Sequence, residues 1–211
     1  MLNRMIDELY ETMPWDEIDS VVFDVGNVLL VFDPDRIMDG FIPDEWRPAV
    51  WERVFRSPYW VAMDHGRLSL REATDRFAGL LPEIAPQIRA MMADWLPMRK
   101  TVPEGVAALK RCREKGKRVY LLSNYVSEGF RVVEDGHDFL RDVDGAVVSS
   151  RVGVLKPDPR IYRILEARYD VCPARTLFVD DNAANVEAAL SIGWNALWAS
   201  SPARIARFFG V

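Results

Sequence analysis

Val21-Val22-Phe23-Asp24-Val25-Gly26 is the stretch whose reading decides the fold. Three apolar residues follow Asp19-Ser20 without interruption and end in a carboxylate, with Gly26 just beyond. A run of that kind, bounded by turn residues, reads as a short strand buried on both faces. Four more runs share the form: residues 118–124, closing in Ser123-Asn124; residues 146–150; residues 176–179, closing in Asp180-Asp181; and residues 195–199. Helical spacing fills the intervals. The segment 104–115 begins after Pro103 and stops at Gly116, with proline first and glycine last as helix ends prefer. Residues 159–169 and 183–192 repeat the spacing, the second stopping at Gly193.

Strands that alternate with helices predict a parallel sheet covered on both faces. The polar residues recur at strand C-terminal ends (Asp24, Ser123-Asn124, Asp180-Asp181), and that edge of an open parallel sheet is where ligands bind. Residues 34–99 break the alternation. They are rich in Trp, Met, Arg and Glu, contain no strand pattern, and read as several helices inserted between the first and second strands. The expected architecture is therefore α/β: a Rossmann-like parallel-sheet core of residues 1–33 and 100–211, its first strand central, with a helical cap of residues 34–99 over the ligand edge. Leu2, Met5, Ile6, Leu9 and Tyr10 keep helical spacing, which predicts an amphipathic helix packed on the body.

Hydrophobic residues make up 49% of the 211 and charged ones 28%, enough apolar mass for a core under a water-facing surface. The net charge is 27 − 32 = −5, so neither nucleic acid nor an anionic membrane is an expected partner. An anionic substrate then needs a local cation. No stretch reaches the roughly 20 apolar residues of a membrane span, and the first residues lack the order of a signal peptide. Cys112 and Cys172 have no metal-ligand spacing and read as reduced thiols, so the expected location is cytoplasmic. Association into a homo-oligomer is compatible with everything above.

Phe23-Asp24-Val25-Gly26-Asn27-Val28 resembles the first motif of the haloacid dehalogenase superfamily, a strand ending in a nucleophilic aspartate. Ser123 resembles the second motif, Lys156 in Val-Gly-Val-Leu-Lys-Pro-Asp-Pro the third, and Phe178-Val-Asp-Asp-Asn-Ala-Ala-Asn the fourth. The resemblance implies hydrolysis of a small phosphomonoester, a sugar phosphate being one candidate, through an aspartyl-phosphate on Asp24. It implies Ser123, Asn124 and Lys156 as phosphate-binding residues, with Ser123 and Lys156 also catalytic, and Mg²⁺ held by Asp24, the Gly26 carbonyl, Asp181 and its neighbour Asp180. The physical chemistry agrees. Asp24 can split hydrolysis into two easier steps, Lys156 steadies the transferred group, and carboxylates converging on one edge repel unless a hard cation joins them.

Singly, each residue has a plainer reading. Asp24 is then a turn or cap residue, Ser123-Asn124 a loop start, Lys156-Pro157 a solvated turn, and Asp180-Asp181-Asn182 the cap of the helix from Ala183. Four in order on one edge point to the site. The pattern departs from the family at Gly26, where most phosphatases carry a second aspartate as general acid and base. Asp33 is the nearest substitute, although Asp33-Pro34 has the form of a helix N-cap. Asp64 and His65, in Met-Asp-His-Gly-Arg, mark a cap loop and read first as a surface turn. His65 and His137 form no triad. Two alternatives stay open: displacement of halide from carbon, which needs no metal and fits the acidic fourth motif poorly, and a catalytically silent binding module. Gly26 and the tryptophans Trp15, Trp46, Trp51, Trp60 and Trp95 keep the second alternative open, with buried packing the default for those rings.

Overall fold

The computed structural model describes residues 15–94 and 100–211 of the chain. The expected N-terminal helix and Trp95 lie outside the described residues. Five strands, β1 (Ser20–Phe23), β2 (Arg118–Ser123), β3 (Gly145–Val148), β4 (Thr176–Asp180) and β5 (Asn195–Trp198), form one sheet in the order β3-β2-β1-β4-β5. Every pairing is parallel, with Phe23 opposite Leu121 on one side and Val179 on the other. β1 is central, as expected.

Burial on both faces explains the unbroken apolar runs. Val21, Phe23, Val119, Leu121, Leu177 and Val179 face one apolar cluster; Val22, Tyr120, Leu122 and Phe178 face the other. The alternation is the strand period of two. Ala108, Leu109 and Cys112 of the helix Pro103–Glu114 and Ile205 and Phe209 of the helix Pro202–Phe209 pack on the first face. Ile161, Tyr162 and Leu165 of the helix Pro159–Tyr169 and Val186 and Ala189 of the helix Ala183–Ser191 pack on the second.

Between β1 and β2 the regular elements among the described residues are helices, apart from isolated bridges at Gly26, Leu30 and Thr101. Helix α1 (Pro34–Met38) is capped by Asp33, which accepts from the N–H groups of Asp35 and Arg36. Helix α2 (Arg47–Val50) runs on as a π-helical turn, Trp51–Phe55. Helix α3 (Pro58–Asp64) starts at the N-cap Ser57, and helix α4 (Leu70–Leu80) starts at a capping box made by Ser69 and Glu72. Helix α5 (Ala85–Asp94) follows. The two crossings between insert and sheet run side by side: Val31 N–H donates to the Lys100 carbonyl and Val102 N–H to that of Leu29. Met63, Phe77, Ile88 and Met91 from the insert join the same apolar cluster as the first sheet face.

Trp15 packs edge-on against Phe208 and Phe209, Trp46 is half-buried, and Trp51 is 39% exposed beside Phe55. Cys112 and Cys172 are both free thiols, the first buried. Among the described residues no helix is long and apolar enough to cross a membrane.

Candidate active site

β1 and β4 are neighbours, but the chain reaches β4 only after laying down β2 and β3 on the other side. The loops leaving β1 and β4 therefore diverge and open a crevice at the switch point. Asp24 follows β1, its N–H donating to the Val179 carbonyl across the gap at 2.9 Å. The chain then turns sharply. Leu30 N–H donates to the Val25 carbonyl and Asn27 N–H to that of Leu30, so the bonds use the residues on either side of Gly26. The carbonyl and N–H of Gly26 stay out of both. Asn27 takes a left-handed conformation at φ 55, which asparagine tolerates better than most residues. Its Oδ1 accepts from Phe32 N–H, while its Nδ2 donates to Asp181 Oδ2 at 3.1 Å.

Lys156 is buried between two carboxylates, its Nζ 2.8 Å from Asp24 Oδ1 and 2.6 Å from Asp180 Oδ2. Desolvation works to lower this ammonium's pKa, but Asp180 and Asp24 together hold it above its ordinary value. Asn124 fixes the lysine's backbone: Lys156 N–H donates to its Oδ1 and its Nδ2 donates to the Lys156 carbonyl. The expected phosphate-binding residue Asn124 thus has its side-chain amide engaged at both ends in placing Lys156. Ser123 is buried at the end of β2 and lines the same cavity.

The two adjacent aspartates have different surroundings. Asp180 is fully buried, and both its oxygens are bonded: Oδ1 accepts from Asn182 N–H and Asn185 Nδ2, Oδ2 from Lys156 Nζ and Asn185 Nδ2. Asp181 is half-buried, lines the cavity and accepts from Asn27. One oxygen each from Asp24, Asp180 and Asp181 lie within 4.8 Å of one another. Burial pushes Asp24 up to about 7, against the pull of Lys156, with Asp180 and Asp181 adding to the rise. Burial also raises Asp181, and the charge on Asp180 adds to it. Negative charge is crowded here, and one buried ammonium does not balance it.

A cavity of about 310 Å³ opens above these groups. Its sheet side is Asp24, Gly26, Asn27, Ser123, Asn124, Lys156, Asp181, Asn182 and Asn185; the rest of its lining is Phe32, Trp60, Asp64 and Tyr125. Trp60 and Asp64 lie one helical turn apart on α3, and the indole N–H donates to the Asp64 carboxylate. The Trp60 ring sits on those of Phe55 and Phe77, with centroids 5.0 and 5.9 Å away. Asp33 caps α1 and does not line the cavity, in keeping with its N-cap reading. The loop of Asp64 and His65 is no simple surface turn: His65 stays outside the cavity, whereas Asp64 lines it.

Trp60, Phe32 and Tyr125 are lining residues that sequence reasoning does not place at the site, while Asn185 closes the quoted fourth-motif stretch but is given no role there.

Residues 18–193 match the family described as haloacid dehalogenase-like hydrolase. The D-ribitol-5-phosphate phosphatase of Bacteroides thetaiotaomicron is 25% identical over 185 residues, covering 84% of this chain and 89% of that protein. Acyl-CoA dehydrogenase family member 10 of Mus musculus is 25% identical over 198 residues, and there the match takes in 87% of this chain but 18% of that protein. A HAD family enzyme of Bacteroides thetaiotaomicron, solved with magnesium and inorganic phosphate, superposes with a TM-score of 0.69 at 21% identity, over 85% of this chain and 93% of that one. The L-2-haloacid dehalogenase of Xanthobacter autotrophicus, with chloropropionic acid covalently bound, superposes at 0.64 and 20% identity, over 85% and 76%. At these identities the two structures share a fold with this chain.

Proposed function

The chain belongs to the haloacid dehalogenase-like hydrolases, and we propose that within that family it hydrolyses a small phosphomonoester with the help of Mg²⁺, through an aspartyl-phosphate on Asp24. Three carboxylates within 4.8 Å of one another, facing a single ammonium, carry this reading. Displacement of halide from carbon needs no metal and gains nothing from a half-buried Asp181. A hydrolase handling phosphate gains a hard-cation site from it. The named phosphatase relative supports the same choice.

The residues fit the ion. Asp24, Asp181 and the Gly26 carbonyl would hold it, and the crowding that lifts the Asp24 and Asp181 pKa values is what a divalent charge relieves. When bound, Mg²⁺ supplies positive charge to the phosphoryl oxygens and offsets their repulsion from Asp24. Asp180 serves Lys156 instead: saturated with hydrogen bonds, it orients the ammonium toward Asp24. Lys156 and the hydroxyl of Ser123 hold the phosphoryl oxygens, and Asn124 keeps the lysine in place. Asp24 attacks phosphorus, the ester oxygen leaves, and water then cleaves the acyl phosphate. A cavity of about 310 Å³ suits a compact metabolite, a sugar phosphate among them, and the net charge of −5 disfavours nucleic acid. The free thiols Cys112 and Cys172 suit a reducing cytoplasm.

The test is phosphate release from a panel of sugar phosphates, nucleotides and aryl phosphates, with Mg²⁺ and with chelator. Asp24→Asn should fold and lose on the order of 10³-fold or more in turnover, and chelation should abolish the wild-type rate. Undiminished release by Asp24→Asn, or indifference to chelation, would contradict the reading. Halide release from 2-haloacids in chelator would favour the dehalogenase alternative.

A further inference from the structure

Phosphoester cleavage needs a proton for the leaving oxygen, and the turn after Asp24 offers none at Gly26. The cavity has five ionisable groups: Asp24, Asp64, Tyr125, Lys156 and Asp181. Asp24 is the nucleophile, Lys156 is locked to Asp24 and Asp180, and Asp181 belongs to the cation. Asp64, at the end of α3 in the helical segment between β1 and β2, and Tyr125, two residues past β2, remain. A group leaving in line from a phosphorus attacked by Asp24 departs away from Asp24, toward the cap side of the cavity. We propose that Asp64 is the general acid of this enzyme and delivers its proton to the ester oxygen as that oxygen leaves.

The C-terminal end of α3, which carries Asp64, is fixed over the site. Buried Ser149, just after β3, donates from Oγ to the Asp64 carbonyl at 2.5 Å and accepts from Tyr125 N–H at 3.0 Å. Two residues on, Gly66 lies so close to the Ser150 backbone that a Cβ there would fall 2.3 Å from the Ser150 carbonyl oxygen. The acid thus hangs from the cap but is tied to the sheet edge. Burial pushes its carboxyl up to about 8, against the Trp60 N–H that favours the ionised form, which brings its titration close to neutral pH. Burial also raises the Tyr125 phenol, with the charge of Asp64 adding to the rise, which leaves the phenol the weaker acid of the two.

The step balances. An Asp24 oxygen bonds to phosphorus, the bond from phosphorus to the ester oxygen breaks, and the departing electron pair takes the Asp64 proton to give the alcohol. Asp64, now a carboxylate, takes a proton from the water that attacks the aspartyl-phosphate. Phosphate and free Asp24 result, and Asp64 is protonated again.

This inference rests on the phosphatase reading, and the test separates the two. The probes are 4-nitrophenyl, phenyl and benzyl phosphate, whose leaving groups grow progressively harder to expel. The wild-type kcat/KM should depend weakly on the leaving group. Asp64→Asn should lose about 10²–10⁴-fold on benzyl phosphate and only a few-fold on 4-nitrophenyl phosphate. Asp64→Glu, which keeps an acid at the same position, should retain the weak dependence, and it serves if the asparagine variant does not fold. An equal loss on all three esters would make Asp64 a binding or structural residue and overturn the inference, as would a steep dependence in the wild type. If the wild type cleaves none of the three with Mg²⁺, the phosphatase reading falls, and the inference with it.

Discussion

Asp180 and Asp181 are chemically identical neighbours set in different surroundings by burial. Asp180 accepts four hydrogen bonds in a fully buried position. Removing it takes one of two carboxylate partners from the buried Lys156 ammonium and the acceptor from the Asn185 amide, and breaking one side of a buried ion pair costs up to about 3–5 kcal/mol. Asp181 in the ion-free protein is a carboxylate in unfavourable surroundings, its pKa raised by burial and by Asp180. Asp180→Ala should therefore lower the melting temperature sharply with or without Mg²⁺. Asp181→Ala should leave it unchanged or raised without the ion and abolish the stabilisation that Mg²⁺ gives the wild type. Thermal melts across a Mg²⁺ titration check both; a stable Asp180→Ala protein with lost Mg²⁺ response would reverse the assignment. The sequence shows the pair at a strand end, but only the packing of Asn185 and Lys156 distinguishes the two.

At the scale of elements, the decisive contact is the loop after α3 against the residues after β3. Gly66 has φ +78 and no room for a Cβ; Gly153, at the end of the helical turn Ser149–Val152, has φ +66 but open space around it. Alanine at either position meets the left-handed penalty of roughly 1–2 kcal/mol. Gly66→Ala must in addition push its loop off Ser150. It should lose several-fold in kcat/KM beyond any loss in Gly153→Ala, at a similar or greater cost in melting temperature. Equal activities in the two variants would show that loop docking does not matter. The sequence places this loop in the cap and no further, because the contact joins segments more than eighty residues apart. Residues 146–150 read as one strand, yet the strand stops at Val148: Ser149 and Ser150 begin a helical turn, the hydroxyl of Ser149 tied to Asp64 and Tyr125. The strands were the legible part, since burial on both faces demands unbroken apolar runs. The helix Ser127–Gly136 escapes such reading because Gly129 and Gly136 lower its helix propensity, although Phe130 and Val133 turn to the core and charged residues to solvent.

For the whole molecule, the active site is a standing cost that pH and metal adjust. Asp24 and Asp64 have ordinary values of 3.8 and stand at about 7 and about 8 when folded. A carboxyl easier to protonate in the folded than in the unfolded chain stabilises at low pH. That stability drains away as pH rises from the unfolded value through the folded one, about 1.4 kcal/mol for each unit crossed by each group. Metal-free protein should melt at a lower temperature at pH 8.5 than at pH 5, and Mg²⁺ should recover part of the difference at the higher pH. A melting temperature that climbs steadily over that range in chelator would contradict the burial of both groups. None of this is legible in the sequence, where Asp64 is one acidic residue in a polar loop and the cavity that dehydrates it is not yet closed.

Gly26 is the one place in the site where the chain declines a side chain without being obliged to. Its φ is not positive, and a Cβ built there meets nothing nearer than Phe32 Cβ at 3.9 Å, an ordinary contact. The turn has room for a Cβ at this position. Some glycine codons become aspartate codons by a single base change, so an acid on the sheet edge and an acid on the cap are neighbouring solutions in sequence space. A lineage can pass from one to the other through an enzyme that carries both, never losing its proton donor on the way.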